Sequence, residues 1–242
     1  EAENSERLLI SKADTTLVVS GLEREIVLEE QPSACVQVLS NVHHLHDIEP
    51  SEKVGEKNFS LLFVANFNHP PNLDGILWFI REVWPLLPTR LRPQLRIAGS
   101  EPPPALRAFE SASIQTLGWV EDLRELYAET SVVVAPLLFG AGVKGKVSEA
   151  WAFGVPVVGT SVAFEGMVPS GESHGGLVTD SPELMSEAIV KLHQDSGYRE
   201  SRLREIQNFR LPFGEEAFDE ALGRVLSHCL AEPHQDFAPP TA

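Results

Sequence analysis

From about residue 58 onward the chain alternates two kinds of hydrophobic pattern. One kind is short, apolar and rich in β-formers: SLLFVAN (Ser60 to Asn66), QLRIAGS, SIQTLGWV, SVVVAPL, VPVVGT and GGLVTD. Such runs read as short strands buried on both faces. In the other kind, apolar residues return every third or fourth position. NLDGILWFIREVWPLL sets Ile76, Leu77, Ile80, Val83 and Trp84 on one helical face. EDLRELYAET reads as a helix with acidic residues in its first turn, where the helix dipole favours them. The stretch GAGVKGKVSEAWAFGVPVV, Gly140 to Val158, turns helical after its glycines, with Val143, Val147, Ala150 and Trp151 facing inward. Buried strands that alternate with helices predict an α/β fold: a doubly wound parallel sheet covered on both faces. Ligands of such sheets bind outside the carboxyl ends of the strands.

The first fifty residues follow a different rhythm. A helix end leads into a strand, Thr15 to Val19, and Ser20 followed by Glu23 has the spacing of a capping box that starts another helix. VQVLSNV adds one more short strand. Two strands cannot bury a core alone, so residues 1–48 are expected to lean on something else. HHLHDIEPSEKVGEKN, punctuated by Pro50 and Gly55, marks a linker over 49–58. The lobe proper then runs over 59–230 and ends in helices near Pro182 to Gln194, Tyr198 to Phe209 and Glu215 to Leu230. Residues 231–242 are expected to form a disordered tail. There is no internal repeat.

Charge narrows the partners. With 35 acidic against 19 basic residues the net charge is −16, which opposes binding to nucleic acid or to an anionic membrane. Any pocket for an anion must be local. The two cysteines, Cys35 and Cys229, fit no metal spacing and no disulfide framework, so a reducing, cytoplasmic setting is expected. No run approaches the roughly 20 apolar residues of a membrane span, and no signal peptide opens the chain. The first residue is Glu1 and not Met, which leaves a processed chain or a part of a longer polypeptide open.

Within this acidic chain, Lys144 and Lys146 stand beside Gly140, Gly142 and Gly145. Glycines between a strand and a helix let backbone N–H groups approach a ligand, and a helix start carries partial positive charge, so the place suits a phosphate. Glu149 follows Lys146 by three residues, on the same side and about 5 Å further along the axis. A carboxylate there can accept bonds from the two hydroxyls of a ribose while the lysines hold an attached diphosphate. The competing reading is a solvated helix start with a surface Lys146–Glu149 pair. Spacing alone leaves both open.

PLLFGAGVKGKVSEAWAFGVPVVGTSVAFEGM resembles the donor-binding signature of retaining glycosyltransferases with the two-lobed GT-B fold, group 1 or GT4 type, and within them a branch that carries GAGVKGK. The resemblance extends to LLFVANFNHPPNLDGILWFIREVWPLL, LRIAGS, LGWVEDLRELY, KADTTLVVSGLE and LSNV, over about residues 8 to 195. It implies a Rossmann-like lobe that binds a nucleoside-diphosphate sugar as donor substrate, without a cofactor or metal, for transfer to a glycan or glycoconjugate acceptor. Glu149 would contact the ribose, and Lys144 and Lys146 would stabilise the departing diphosphate. Asn66, His69 and Asn72 become candidate phosphate or sugar contacts, and Gly118, Trp119 and Val120 the turn that meets the nucleobase. Gly99 and Ser100 line the same edge, and Gly140, Gly142, Val143 and Gly145 form the loop over the donor. Residues 1–48 would be the closing elements of an N-terminal acceptor lobe.

The chain also departs from that pattern. Many relatives pair two glutamates eight positions apart, the first of which helps hold the donor sugar; here that position is Ala141. Where relatives often place Arg and Lys after the first strand, this chain has Asn68 and Leu73. Most of an acceptor lobe is not in the sequence, so the chain is expected to bind nucleotide without efficient transfer unless a missing domain or a partner chain completes it. A sugar-nucleotide epimerase of similar two-lobed build fits the signature less well. His43 to His46, HHLH, suggests a metal site, but without paired cysteines these read as solvated loop histidines. His174 reads as an exposed loop residue, and Glu165 and Gly166 either face the cleft or cap a helix. Trp78, Trp84 and Trp151 fall at helical core positions and read as packing.

Overall fold

The computed structural model describes residues 2–46, 59–91, 93–167 and 176–231. The linker expected over 49–58, His174 and, of the tail expected over 231–242, residues 232–242 lie outside them; Ala231 is helical. In chain order come α1 (Ala2–Lys12), β1 (Thr16–Val18), α2 (Gly21–Glu30) and β2 (Val36–Val38). There follow β3 (Ser60–Val64), α3 (Pro70–Trp78), β4 (Gln94–Ala98), α4 (Pro104–Arg107), β5 (Ile114–Gly118), α5 (Arg124–Ala128), β6 (Val132–Ala135) and α6 (Gly145–Ala152). The chain continues through β7 (Val157–Gly159), β8 (Gly176–Val178), α7 (Pro182–Gln194), α8 (Ser196–Phe209) and α9 (Glu215–Ala231).

Six strands pair in parallel in the order β5-β4-β3-β6-β7-β8. Their side chains alternate between two clusters. Leu61 and Phe63 of β3 and Val132 and Val134 of β6 join the cluster with Ile76, Ile80 and Met185, under α3 and α7. Leu62, Val133 and Ala135 join the cluster with Tyr127, Val147 and Trp151, under α5, α6 and α8. The central strands β3, β6 and β7 are apolar throughout because both of their faces are covered, the doubly wound arrangement that the continuous runs predict, whereas the edge strand β5 alternates, with Gln115 and Leu117 exposed. Chain order reverses direction between β3 and β6. That is the topological switch point, where the crevice for a ligand opens at the carboxyl ends.

Three features refine the expected elements. The helix after β3 does not run through evenly: α3 passes into a π turn over Phe79–Val83 and a 3-10 turn at Trp84–Leu86, where Pro85 cannot supply an amide. Helix α5 starts later than its acidic residues suggest, at Arg124, and Asp122 lies before it, accepting from the Arg124 amide at 2.9 Å. Gly75 of α3 lies so close to the end of β6 that a Cβ there would come within 2.4 Å of the Pro136 carbonyl. That contact sets α3 against the loop that holds the glycines.

Strands β1 and β2 form a separate two-stranded parallel sheet beside α2. Ser20 caps α2 as its spacing predicts: its hydroxyl accepts from the Glu23 amide at 3.1 Å, while Glu23 reaches back to the Val19 amide at 3.0 Å. Helix α9 returns to this unit. His228 Nε2 lies 2.9 Å from Cys35 Sγ, and Cys229 Sγ lies 3.5 Å from the Thr15 hydroxyl; both cysteines are free. The histidines of HHLH are not simply solvated. His43 Nε2 meets the Ser148 hydroxyl of α6 at 2.8 Å, and His46 stacks on Phe153 at 4.2 Å, so the segment braces α6 from behind. Only His44 conforms to the expectation, exposed beside Glu215 at 3.5 Å. Among the described residues no helix is long and apolar enough to cross a membrane.

Candidate functional site

The loop after β3 and the loop after β6 meet at the switch point. After β3, the Asn66 carbonyl accepts from the His69 amide at 3.2 Å and from the Asn72 side-chain amide at 2.8 Å. The His69 carbonyl in turn accepts from the Asn72 amide at 3.0 Å, which starts α3. Asn72 is buried, and Asn66 and His69 are exposed at the rim. After β6, Gly140 and Gly142 take φ of +121° and +79°, values that a side chain at either position would strain. A Cβ at Gly140 would stand 3.6 Å from Pro71, so the two loops are in contact.

Lys146, in the first turn of α6, crosses the gap between them. Its ammonium donates to the Asn72 side-chain oxygen at 2.5 Å and lies 4.4 Å from the centre of the Phe63 ring. Burial, with Lys144 adding to it, lowers the Lys146 pKa to about 7. Among the described residues no carboxylate contributes to that balance. Lys144, the residue that caps α6, is placed differently. Its ammonium donates to the carbonyls of Gly140 and Gly142, and Glu165 Oε2 lies 3.9 Å away. Burial lowers its pKa, while Glu165 and Glu23 act in the opposite direction.

Glu149 lies deeper along α6. Its Oε2 accepts from the Tyr127 hydroxyl at 2.8 Å, and the Tyr127 ring, almost fully buried, stacks on Phe153 at 4.3 Å. Burial raises the Glu149 pKa and the hydrogen bond from Tyr127 counters it. Burial also holds the Tyr127 phenol well above its ordinary value, with Glu149 adding to the effect. Tyr127 did not stand out in the sequence, where it reads as one more apolar position of a short helix. The available signal was its hydroxyl, since a buried tyrosine needs a polar partner.

The remaining candidates line the same edge. Gly99, which follows β4, and Gly118, which ends β5, are joined by a bond of 2.8 Å from the Gly99 amide to the Gly118 carbonyl. Gly99 is pressed against the chain, since a Cβ there would fall 2.1 Å from the Ala65 carbonyl. Trp119 follows with its ring 75% exposed, in contrast to Val120, which packs on the cluster that holds Tyr127. Val143 is half-buried on that cluster as well, and Gly145 opens α6 with empty space around it. The structure thus ties Asn66, His69, Asn72 and Lys146 into one network, and Gly140, Gly142 and Lys144 into a second that touches it. Trp119 stands apart from both. Trp151 is fully buried and Trp78 and Trp84 pack on the first cluster, as packing residues would.

Lys144 and Lys146 thus stand together at a glycine-opened helix start, at the switch point of a parallel sheet. The family model for glycosyl transferases group 1 matches residues 58–195, the segment that builds both loops. The chain belongs to the group 1 glycosyltransferases. A Klebsiella pneumoniae protein described as an uncharacterized 44.6 kDa protein in the cps region is 29% identical over 163 residues, 62% of this chain and 41% of that protein. Solved group structures share the fold at low identity. A TarM variant from S. aureus, in complex with fondaparinux, α-GlcNAc-glycerol and UDP, aligns with a TM-score of 0.75 at 13% identity, over 94% of this chain and 46% of TarM. Anabaena HepE in complex with UDP and glucose aligns with a TM-score of 0.74 at 14% identity, over 93% of this chain and 66% of HepE. The architecture is the Rossmann-like lobe of GT-B glycosyltransferases. The chain spans less than half the length of the Klebsiella protein and of TarM.

Proposed function

We propose that this chain is the donor-binding part of a retaining glycosyltransferase of the GT4 type, which takes a hexose from a nucleoside-diphosphate sugar and passes it to a glycan or glycoconjugate acceptor in polysaccharide assembly. The observation that carries this reading is Lys146: a buried ammonium with Asn72 as its hydrogen-bond partner and, among the described residues, no carboxylate beside it, set at the switch point with Glu149 one turn deeper. An anionic diphosphate supplies the missing counter-charge. Glu149, held by Tyr127, offers its other oxygen to the ribose. As the bond to the sugar breaks, charge grows on the leaving diphosphate, and Lys146 together with the amides at the start of α6 stabilises it. That task needs no metal ion. The turn of Gly118, Trp119 and Val120 at the outer edge would meet the base, and two free thiols suit a cytoplasmic setting.

A second reading has the chain bind nucleotide but turn it over only with an acceptor lobe supplied by another domain or chain. One feature favours it. Leu8 and Leu9 of α1, Leu17 of β1 and Leu22 and Ile26 of α2 are all exposed on a unit whose two-stranded sheet is too small to stand alone. Titration with UDP, GDP and dTDP tests the site: one of them binds, and Lys146→Ala and Glu149→Ala each weaken it by about 1–3 kcal/mol. Unchanged affinity in both variants, with folding intact, removes the site. Sugar-nucleotide hydrolysis by the chain alone supports the first reading; binding without turnover until a partner is added supports the second.

A further inference from the structure

We infer that Glu165 holds the hydroxyl groups of the transferred sugar, and that Lys144 fixes it there; this rests on the nucleotide-sugar reading above. The argument starts from order along α6. Glu149 lies in the body of the helix, Lys146 in its first turn, and Lys144 at its cap. The Lys144 side chain turns back from the helix onto the carbonyls of Gly140 and Gly142, and Glu165 is reached from its ammonium. Glu149, Lys146, Lys144 and Glu165 therefore run outward past the helix start. A sugar nucleotide carries ribose, diphosphate and sugar in the same order. With the ribose on Glu149 and the phosphates at Lys146, the sugar falls over the glycine loop beside Glu165.

A neutral sugar there needs hydrogen-bond acceptors. The loop itself presents Ala141, a methyl group. Among the described residues, two carboxylates approach from outside it. Glu23 of α2 turns Oε1 toward Gly142, 3.1 Å from where a Cβ would stand, while its Oε2 accepts from the Val19 amide; its side chain is tied to the α2 cap and only half-exposed. Glu165 has a side chain 44% exposed, against 10% for Lys144, so it presents acceptor oxygens at the mouth of the site. Its backbone is fixed: Gly166 has φ of +70°, and a Cβ there would come within 3.1 Å of the Ser20 hydroxyl that caps α2. The turn carrying Glu165 is thereby held between α2 and the glycine loop.

Glu165→Gln tests this in the full chain, with UDP, GDP and dTDP titrated against UDP-glucose, GDP-mannose and dTDP-glucose. The unsubstituted chain is expected to bind one sugar nucleotide more tightly than its bare diphosphate. In Glu165→Gln the diphosphate affinity stays within about twofold, while the sugar nucleotide loses about tenfold, the size of one hydrogen bond to a charged group. Glu165→Asp, which keeps the charge with a shorter reach, is expected to fall between, and gives the readout if the glutamine variant does not fold. Equal loss for both ligands, or loss for neither, overturns the inference and leaves the nucleotide site standing. If the unsubstituted chain binds none of the three diphosphates, the nucleotide reading itself fails and this inference with it.

Discussion

Lys144 and Lys146 are two residues apart at the start of one helix, and their surroundings are opposite. Lys144 is enclosed by its own loop: two backbone carbonyls receive its protons and Glu165 balances its charge. Lys146 is buried against an amide oxygen and an aromatic ring, with no acid among the described residues to balance it. The first holds the glycine loop in shape. The second keeps a charge in poor surroundings, which a folded protein tolerates where a ligand completes the balance.

Exchanging each lysine for alanine should separate the roles. Lys146→Ala is expected to have the largest effect on binding, a loss of about 10- to 100-fold in nucleotide affinity. Its folding stability should hold or rise, because an unbalanced buried charge is gone. Lys144→Ala is expected to reverse the pattern: about 1–2 kcal/mol of stability lost, since loop carbonyls lose their donor, with diphosphate affinity reduced only a few-fold. Thermal melts beside calorimetric titrations decide it. Equal effects of the two variants on both quantities would erase the distinction.

The pH dependence sharpens the same contrast. With its pKa near 7 in the unoccupied site, Lys146 must take up a proton as an anion binds at higher pH. Affinity for a sugar nucleotide, whose diphosphate stays ionised, should therefore fall as pH rises above about 7, by at most tenfold per unit, until the pKa of the occupied site is reached. Stability runs the other way. A depressed lysine pKa means that the unfolded chain binds a proton that the folded one does not, so stability should rise with pH from about 7 towards the ordinary lysine value. Proton uptake can be read from binding heats in buffers of different ionisation enthalpy; none at pH 8 would place the charge elsewhere.

Tyr127 gives a smaller effect at the other end of the site. Burial raises the Glu149 pKa and the Tyr127 hydroxyl opposes that rise. In Tyr127→Phe the carboxylate should protonate at higher pH, so nucleotide affinity should drop several-fold and its decline with falling pH should begin earlier. A uniform loss at every pH would mean that the ring packs and the hydroxyl does not matter.

These contrasts also mark how far the sequence could be read. Strands and the α6 start were legible because burial on both faces leaves a continuous apolar run, and a capping serine announces α2. Asn72 entered as a candidate through the resemblance, which points to the loop after the first strand of the sheet; its bond to Lys146 was not legible there. The different settings of Lys144 and Lys146 were not. They depend on a carbonyl turned inward by Gly142 and on an asparagine 74 residues away, and local spacing carries neither. The packing of His43 and His46 onto α6 escaped for the same reason: a polar run reads as solvent-facing until a helix is laid against it.

The glycines provide the smallest test of the comparison. Gly142 has φ of +79° and a Cβ there would stand 3.1 Å from Glu23 Oε1, so Gly142→Ala strains the backbone and presses on the α2 cap. Gly145, three residues on, is helical with nothing within 4 Å of an added Cβ. Gly142→Ala should cost about 1 kcal/mol in stability and loosen the seat of Lys144, whereas Gly145→Ala should add about 0.5 kcal/mol by restricting the unfolded chain. Urea titrations of both measure the difference. If the two alanines act alike, the loop does not need its left-handed turn, and the carbonyls that hold Lys144 are set by something other than Gly142.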